Sequence, residues 1–226
     1  MRVSPGIERR AGRWAVCAAA FWLTAGAPPA ARAETPGRVW LGAGVLAGST
    51  LLDPRFSNYQ WDVRPRAAWG GEVMAGRGPW VTGLRVWRAT STQSIDQPGA
   101  ESADVAVTTA EVFGQRRVAE FLGADLFATA SAGRLWLGYR PDQVTITPFG
   151  SSPIVVDLAP IHEWTAGAGL ALRRPWSGPW SMSFAVDYQL FGLTASHMNG
   201  NEVETHRESL GDWSARLGLA WSSRRP

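Results

Sequence analysis

The sequence contains no lysine, and its only cysteine is Cys17. It also lacks a long apolar run. The most apolar stretch, from about Trp14 to Ala27, is shorter than the ~20 residues that a membrane-spanning helix requires. Because Cys17 lies in a segment that we expect to be removed, the mature chain contains no thiol. Disulfides and cysteine-ligated zinc are therefore excluded, and we predict no metal site.

Residues 1–33 have the composition of a secretory signal peptide. The segment carries five arginines against Glu8, contains the short apolar stretch, and ends in the small-residue run Ala30-Ala31-Arg32-Ala33. Positive charge, a short apolar core and an Ala-x-Ala end are typical of a cleaved leader, so we predict cleavage after Ala33. Val16 stands before Cys17, where a lipid-anchored protein has a small residue, so we expect no lipidation. Residues 34–226 are within the size of one barrel domain.

Removal of this segment changes the charge balance. The full chain has 22 basic and 19 acidic residues, whereas residues 34–226 keep 17 arginines and 18 acidic residues. A nucleic-acid-binding surface needs a surviving basic patch, so we predict no nucleic-acid partner. Gly42, Gly44 and Gly48 have the wrong order for a phosphate-binding GxGxxG loop and precede no helix. We therefore predict no nucleotide and no other cofactor.

Apolar side chains recur at every second position in the mature chain, which is the period of a β-strand with two different faces. In the clearest run, from Trp180 to Leu190, the even positions are aromatic or apolar and the odd positions are small or polar. We predict an all-β fold of eight antiparallel strands, at about residues 38–50, 59–76, 79–91, 104–115, 122–138, 156–173, 179–195 and 206–222.

The apolar faces of these strands are bounded by aromatic residues, which favours a membrane barrel over a soluble β-sandwich. Trp and Tyr prefer the headgroup region of a bilayer, and transmembrane barrels have aromatic girdles at both interfaces. The opposite faces are small or charged and could not fill the core of a sandwich. The predicted girdle residues are Trp61, Trp69, Trp180, Tyr188, Trp213 and Trp221.

The connections between the predicted strands alternate between short and long. Those at residues 76–79, at about 116–121 and at 174–178 are short, and two of them are rich in glycine and proline. Those at residues 92–103, 141–155 and 197–205 are long. Short periplasmic turns and long extracellular loops are the expected asymmetry of an outer-membrane barrel.

On this strand pattern, aromatic girdle and loop asymmetry, the mature chain resembles the OmpA/OmpX-like group of small outer-membrane β-barrels. The resemblance implies a transmembrane, antiparallel, up-and-down barrel of eight strands in the cell outer membrane. It also implies contact with outer-membrane lipid and lipopolysaccharide, and with the barrel-assembly machinery during biogenesis. Members usually end on an aromatic residue that assists assembly, whereas here the last strand reaches Trp221 and the chain continues to Pro226.

Charged residues occupy the strand faces opposite the aromatic positions. An eight-stranded barrel is only wide enough inside for side chains, and a lone buried ion costs several kcal/mol. We therefore expect these charges to pair and to plug the barrel. The run from Leu126 to Leu137 is apolar on both faces, which leaves the register of Arg134 open. The predicted interior network is Arg64, Arg66, Glu72, Arg85, Glu111, Arg134, Glu163, Asp187 and Arg216.

A plugged interior predicts a structural or surface-interaction role through the long extracellular loops, with an unidentified surface partner. The first alternative is a narrow channel or a barrel that transports a lipophilic ligand. The second is an outer-membrane enzyme that modifies lipid A or cleaves peptides, since His162, His197 and His206 are all predicted at the extracellular end. Ser196-His197 is not evidence for a catalytic pair, because adjacent residues on a strand point to opposite faces. We predict no catalytic residues.

Overall fold

The computed structural model describes residues 39–97, 100–146, 152–199 and 202–223. The predicted signal peptide lies outside these residues. Ten strands and one 3₁₀ helix occur in the described part. They are β1 (Trp40–Leu52), the 3₁₀ helix (Pro54–Tyr59), β2 (Arg66–Arg77), β3 (Trp80–Gln97), β4 (Ala100–Phe121), β5 (Ala124–Arg140), β6 (Gln143–Ile146), β7 (Ile154–Asp157), β8 (Ile161–Ser177), β9 (Trp180–Asn199) and β10 (Glu202–Ser222).

Eight of these strands form one closed barrel, in the order β1-β10-β9-β8-β5-β4-β3-β2. All neighbouring pairs are antiparallel, and the barrel closes where β1 pairs with β10. Closure pairs the backbone N–H and C=O groups of the wall with one another, which a lipid environment requires. The predicted eight-stranded, antiparallel, up-and-down barrel is confirmed.

Three tight turns lie at the end of the barrel where β1 begins and β10 ends. Gly78 and Gly178 each have a φ of 57°, a left-handed conformation that glycine adopts without a steric penalty, and each is followed by Pro and Trp. The third turn is at residues 122–123. Its predicted position at 116–121 was wrong, because β4 continues to Phe121 and the left-handed residues are Leu122 and Gly123.

The opposite end of the barrel is built mostly from strands that extend past the membrane. β3 runs to Gln97 and β4 starts at Ala100, and β9 and β10 remain paired from Asn199 and Glu202. The predicted loops at residues 92–103 and 197–205 therefore consist mostly of β-hairpin. A separate hairpin of β6 and β7 occupies part of the third predicted loop. By the asymmetry expected of outer-membrane barrels, we call this the extracellular end and the tight-turn end the periplasmic end.

The predicted second strand starts too early. Residues 54–59 form the 3₁₀ helix, which begins with Pro54 and is capped by Asp53, whose carboxylate accepts a hydrogen bond from the Arg55 N–H. β2 begins only at Arg66. Pro65 has no N–H to donate to a neighbouring strand, although the alternation of Trp61, Val63 and Pro65 imitates a strand in sequence.

The outward face of the wall is apolar and ends in aromatic rings. Large exposed side chains such as Val45, Leu84 and Leu170 cover its middle. At the periplasmic end the exposed rings are Trp80, Trp176, Trp180 and Trp221, and towards the extracellular end they are Trp69, Trp164 and Trp213. In the described part of the chain, no helix is both long and apolar enough to cross a bilayer.

Candidate functional site

The barrel interior contains a buried row of charges across β2, β3 and β4. Glu72 lies opposite Arg85, and Arg85 lies opposite Glu111. The Arg85 guanidinium donates from Nε to Glu72 Oε2 at 3.2 Å and from Nη1 to Glu111 Oε1 at 2.9 Å. Gln189 Nε2 donates to the other oxygen of Glu111 at 2.7 Å. The side chain of Arg85 is only 3% exposed, that of Glu72 6% and that of Glu111 1%. The barrel therefore buries two carboxylates around one cation.

A second buried ion pair joins β9 and β10. The Arg216 guanidinium donates from Nη2 to Asp187 and from Nη1 to Ser214 Oγ at 3.2 Å. It also lies 5.6 Å from the centre of the Trp87 ring, and Arg85 lies 4.5 Å from that of Phe113. Both cations therefore combine ion pairing with cation–π contacts, which gain strength where water is excluded.

Glycines on the neighbouring strands make room for this network. Gly133 lies opposite Glu111, and Gly169 lies opposite Asp187. A methyl group on Gly133 would lie 2.6 Å from the Glu111 Cα, and one on Gly169 would lie 2.5 Å from Asp187 Oδ1. The charged side chains therefore lie against bare backbone, and larger residues at these positions would displace them.

Sequence reasoning missed two interior charges, Arg173 and Asp212. Arg173 is buried and donates from Nη2 to Gln115 Oε1 at 3.1 Å. The inward orientation of Arg173 could have been predicted, because Arg173 lies an even number of residues after Glu163 on β8 and therefore shares its face. Asp212 likewise precedes Arg216 by four residues on β10. Among the described residues, Arg173 Nη1 and Asp212 Oδ1 have no hydrogen-bond partner.

Arg64 and Arg66 were predicted inside; Arg64 lies before the strand at the extracellular end, whereas Arg66 begins β2 on its inward face, at the extracellular rim. Both pair with Asp62 in the connection between β1 and β2, and the Arg64 side chain is 77% exposed. The error follows from the late start of β2, which places Arg64 before the strand. A side-chain hydrogen bond from Arg64 holds the pKa of the Asp62 carboxyl at about 2, so Asp62 stays charged at neutral pH and fastens this connection.

Arg134 and Glu163 also differ from the predicted interior. Arg134 faces outward, since its neighbour Leu135 is buried and its guanidinium lies 4.6 Å from the centre of the exposed Trp164 ring. The ambiguous register of β5 is thus resolved with Leu135 and Leu137 inside. Glu163 is on the inward face, but it lies near the rim, where Arg207 Nη2 donates to it at 3.4 Å.

An apolar layer fills the barrel on the extracellular side of the charges. The connection between β1 and β2 folds into the barrel mouth and contributes Phe56 and Trp61, whose ring centres are 5.2 Å apart. Phe56 also contacts Phe191, and Trp61 contacts Tyr139. We call this the outer apolar layer; it is formed by Leu46, Leu52, Phe56, Trp61, Ala68, Trp87, Ala89, Val105, Val107, Leu135, Leu137, Phe191, Leu193 and Leu210.

Trp61 was predicted in the aromatic girdle, and the structure corrects this: it is 5% exposed and lies in the outer apolar layer. Trp61 lies in the short segment of residues 60–62, and it pairs with Gln93 on β3 through an isolated bridge. Trp69, Trp180, Trp213 and Trp221 are exposed on the outward face. Tyr188 also faces outward and packs on Trp213, with ring centres 4.9 Å apart.

The buried charges border a small internal space. A cavity of about 10 Å³ lies among Arg85, Arg173 and Arg216, and a cavity of that size holds about one water molecule. Glu72, Gln115 and Ser183 complete its polar lining. At this level of the described barrel, side chains therefore fill the interior.

The extracellular histidines do not assemble a site in the described residues. His162 is exposed on the outward face and lies opposite Trp136. The side chains of His197 and His206 lie outside the described residues. Within the part that the structure describes, no group of three or more His, Cys, Asp or Glu side chains is placed to hold a metal ion.

Known proteins resemble the chain in structure. No protein-family model matches it, and no curated protein matches its sequence. Neisserial surface protein A superimposes with a TM-score of 0.46 at 7% identity, over 83% of this chain and 99% of the other. The outer membrane protein AlkL gives 0.45 at 14% identity, over 88% and 96%. Ail of Yersinia pestis, in complex with the heparin analogue sucrose octasulfate, gives 0.40 at 12% identity, over 83% and 100%.

The location of the chain follows from the barrel itself. A closed antiparallel wall with an apolar outward belt, rings at both ends and a charged interior fits a bilayer and no aqueous environment. The chain is an outer-membrane β-barrel. It has the eight-stranded build of the OmpA/OmpX-like group, and the predicted location is confirmed.

Proposed function

We propose that the protein is a sealed, non-enzymatic outer-membrane barrel with a structural or surface-interaction role, performed by its extracellular end. The observation that carries the proposal is the filled interior. The Arg85 and Arg216 ion pairs are buried inside the barrel, Gln189 on β9 donates across the interior to Glu111 on β4, and the cavity beside them has room for about one water molecule. A solute has no open path through such an interior.

The outer apolar layer supports the same proposal. Phe56 and Trp61 are 1% and 5% exposed, so the chain itself occupies the space in which a lipophilic ligand would enter. Transfer of a hydrated ion through this layer would require its desolvation, which is very costly in an apolar surrounding. The layer thus opposes the passage of both lipophilic ligands and hydrated ions.

The extended hairpins support a role at the cell surface. β3 and β4 continue to Gln97 and Ala100, β9 and β10 to Asn199 and Glu202, and β6 and β7 form a further hairpin. Hairpins that extend beyond the wall are not needed to close a barrel. They present strand edges and side chains to partners outside the cell.

Single-cysteine variants test whether the interior is sealed. We expect Ser183→Cys, which lines the internal cavity, to resist a charged methanethiosulfonate reagent in the folded protein and to react fully after denaturation. Ser152→Cys is the matched control, because Ser152 is exposed at the extracellular end and should react at once. Rapid labelling of folded Ser183→Cys, at a rate near that of Ser152→Cys, would mean that the interior is open to water.

A further inference from the structure

Two arginines on the membrane-facing wall have no part in the interior network. Arg88 on β3 is exposed and follows the buried Trp87, so it points outward. Arg134 on β5 points outward as well and stacks on Trp164, which is 67% exposed. In the described part of the chain, no ion pair or side-chain hydrogen bond engages either guanidinium, so their charges face the surroundings of the barrel.

The strand register brings the two arginines into one patch. Trp69, Arg88 and Thr108 are successive cross-strand neighbours on β2, β3 and β4. Ala110, Arg134 and Trp164 are successive neighbours on β4, β5 and β8. Thr108 and Ala110 are two residues apart on β4, so both rows meet there. The two arginines stand two strands apart with an offset of two residues, which separates their Cα atoms by about 12 Å by normal strand geometry, across a strip of small side chains.

The height of this patch on the barrel is set by its tryptophans. Trp69 and Trp164 belong to the extracellular set of exposed rings, and such rings lie at the headgroup level. An arginine facing lipid costs about 2–4 kcal/mol at the bilayer midplane but only about 0–1 kcal/mol near the interface. Arg88 and Arg134 therefore lie at the depth where the headgroups of the outer leaflet begin, and their counter-charge has to come from lipid.

We propose that Arg88 and Arg134 bind the phosphate groups of lipopolysaccharide in the outer leaflet. The planar guanidinium donates two parallel hydrogen bonds to a phosphate, and two arginines on one patch suit a glycolipid that carries more than one phosphate. Trp69 and Trp164 flank the arginines and cover the sugar and the first carbons of the acyl chains. This site lies on the outside of the wall, so it is independent of whether the interior is sealed.

Arg116 provides a matched control. It is exposed, faces outward, and lies 5.4 Å from the centre of the Trp80 ring, so it repeats the Arg–Trp arrangement of Arg134 and Trp164. However, Trp80 directly follows the turn at Gly78, which places Arg116 at the periplasmic end of the barrel. Phospholipid, and not lipopolysaccharide, borders this end.

The test compares binding of purified lipid A to the detergent-solubilised protein by native mass spectrometry. We expect the R88Q/R134Q double variant to lose at least about tenfold in affinity, since charge-assisted hydrogen bonds are lost at both positions. R116Q should bind lipid A like the wild type. Dephosphorylated lipid A and phosphatidylglycerol should both bind the wild type at least about tenfold more weakly than lipid A, because the shared phosphate contacts are missing or incomplete.

Equal lipid A affinity of the wild type and the double variant would overturn the proposal, as would equal affinity of the wild type for phosphatidylglycerol and lipid A. The two comparisons that use only wild-type protein remain valid if the double variant fails to fold. Heat modifiability on gels establishes whether each variant is folded. Failure of this test leaves the sealed interior standing, because cysteine labelling inside the barrel does not depend on bound lipid.

Discussion

Replacing Arg85 by methionine is expected to destabilise the folded barrel by about 3–5 kcal/mol, because removal of one partner leaves uncompensated buried charges. Glu72 and Glu111 would face each other across the space of the lost guanidinium, and both are almost fully buried. Gln189 would still donate to Glu111, whereas Glu72 would lose its ion-pair partner. Urea unfolding of the barrel in lipid vesicles measures the change.

The triple variant R85M/E72Q/E111Q is the control for this prediction. It has the same shape at position 85 but no buried charge in the row, so we expect it to recover most of the lost stability, as neutral replacements of buried ion pairs commonly do. A stability of the triple variant no better than that of R85M alone would show that packing, and not charge, dominates at this position.

Trp61→Ala and Trp69→Ala are expected to differ strongly, although both tryptophans lie in the same stretch of sequence. Truncation of a buried aromatic side chain costs about 3–5 kcal/mol because it leaves a cavity, and Trp61 is buried among Phe56 and Tyr139. Trp69 is 67% exposed, so lipid fills the space that its removal leaves. We expect a clearly smaller loss for Trp69→Ala in the same urea titration.

Trypsin gives a second measurement of the same difference. The connection that carries Trp61 contains Arg55, an exposed trypsin site that is held by an ion pair with Asp53. We expect Trp61→Ala to release this connection and to accelerate cleavage there, and Trp69→Ala to leave the rate unchanged. Equal stability and equal cleavage of the two variants would contradict the placement of Trp61 in the outer apolar layer.

The wall of the barrel was predictable because one face of each strand contacts lipid and the other contacts a packed interior. This difference imposes the period of two that predicted the inward faces of Glu72, Arg85, Glu111, Asp187 and Arg216. The structure brings these five residues into two connected ion-pair groups. Arg134 was misplaced because Leu126–Leu137 is apolar on both faces, and only the pairing of β5 with β4 and β8 sets its register.

The extracellular end was less predictable, for two physical reasons. Past the membrane, the outward face of a hairpin meets water instead of lipid, so the extension around Ser94 lacks the apolar alternation that marks a strand. The inward fold of residues 53–65 depends on contacts with distant strands, such as Phe56 with Phe191 and Arg55 with the Ser209 carbonyl. The sequence around Trp61 does not indicate these contacts, so Trp61 was predicted to be a girdle residue.

The central feature of the molecule is an interior closed by ion pairs and an apolar layer, and single-channel recording tests it most directly. The purified protein is reconstituted into lipid vesicles, its folding is established by heat modifiability, and the vesicles are fused with a planar bilayer at neutral pH. We expect no stable ion current, because Arg85 and Arg216 stay paired and Phe56 and Trp61 fill the mouth. Reproducible channel steps with a stable conductance would contradict the sealed barrel.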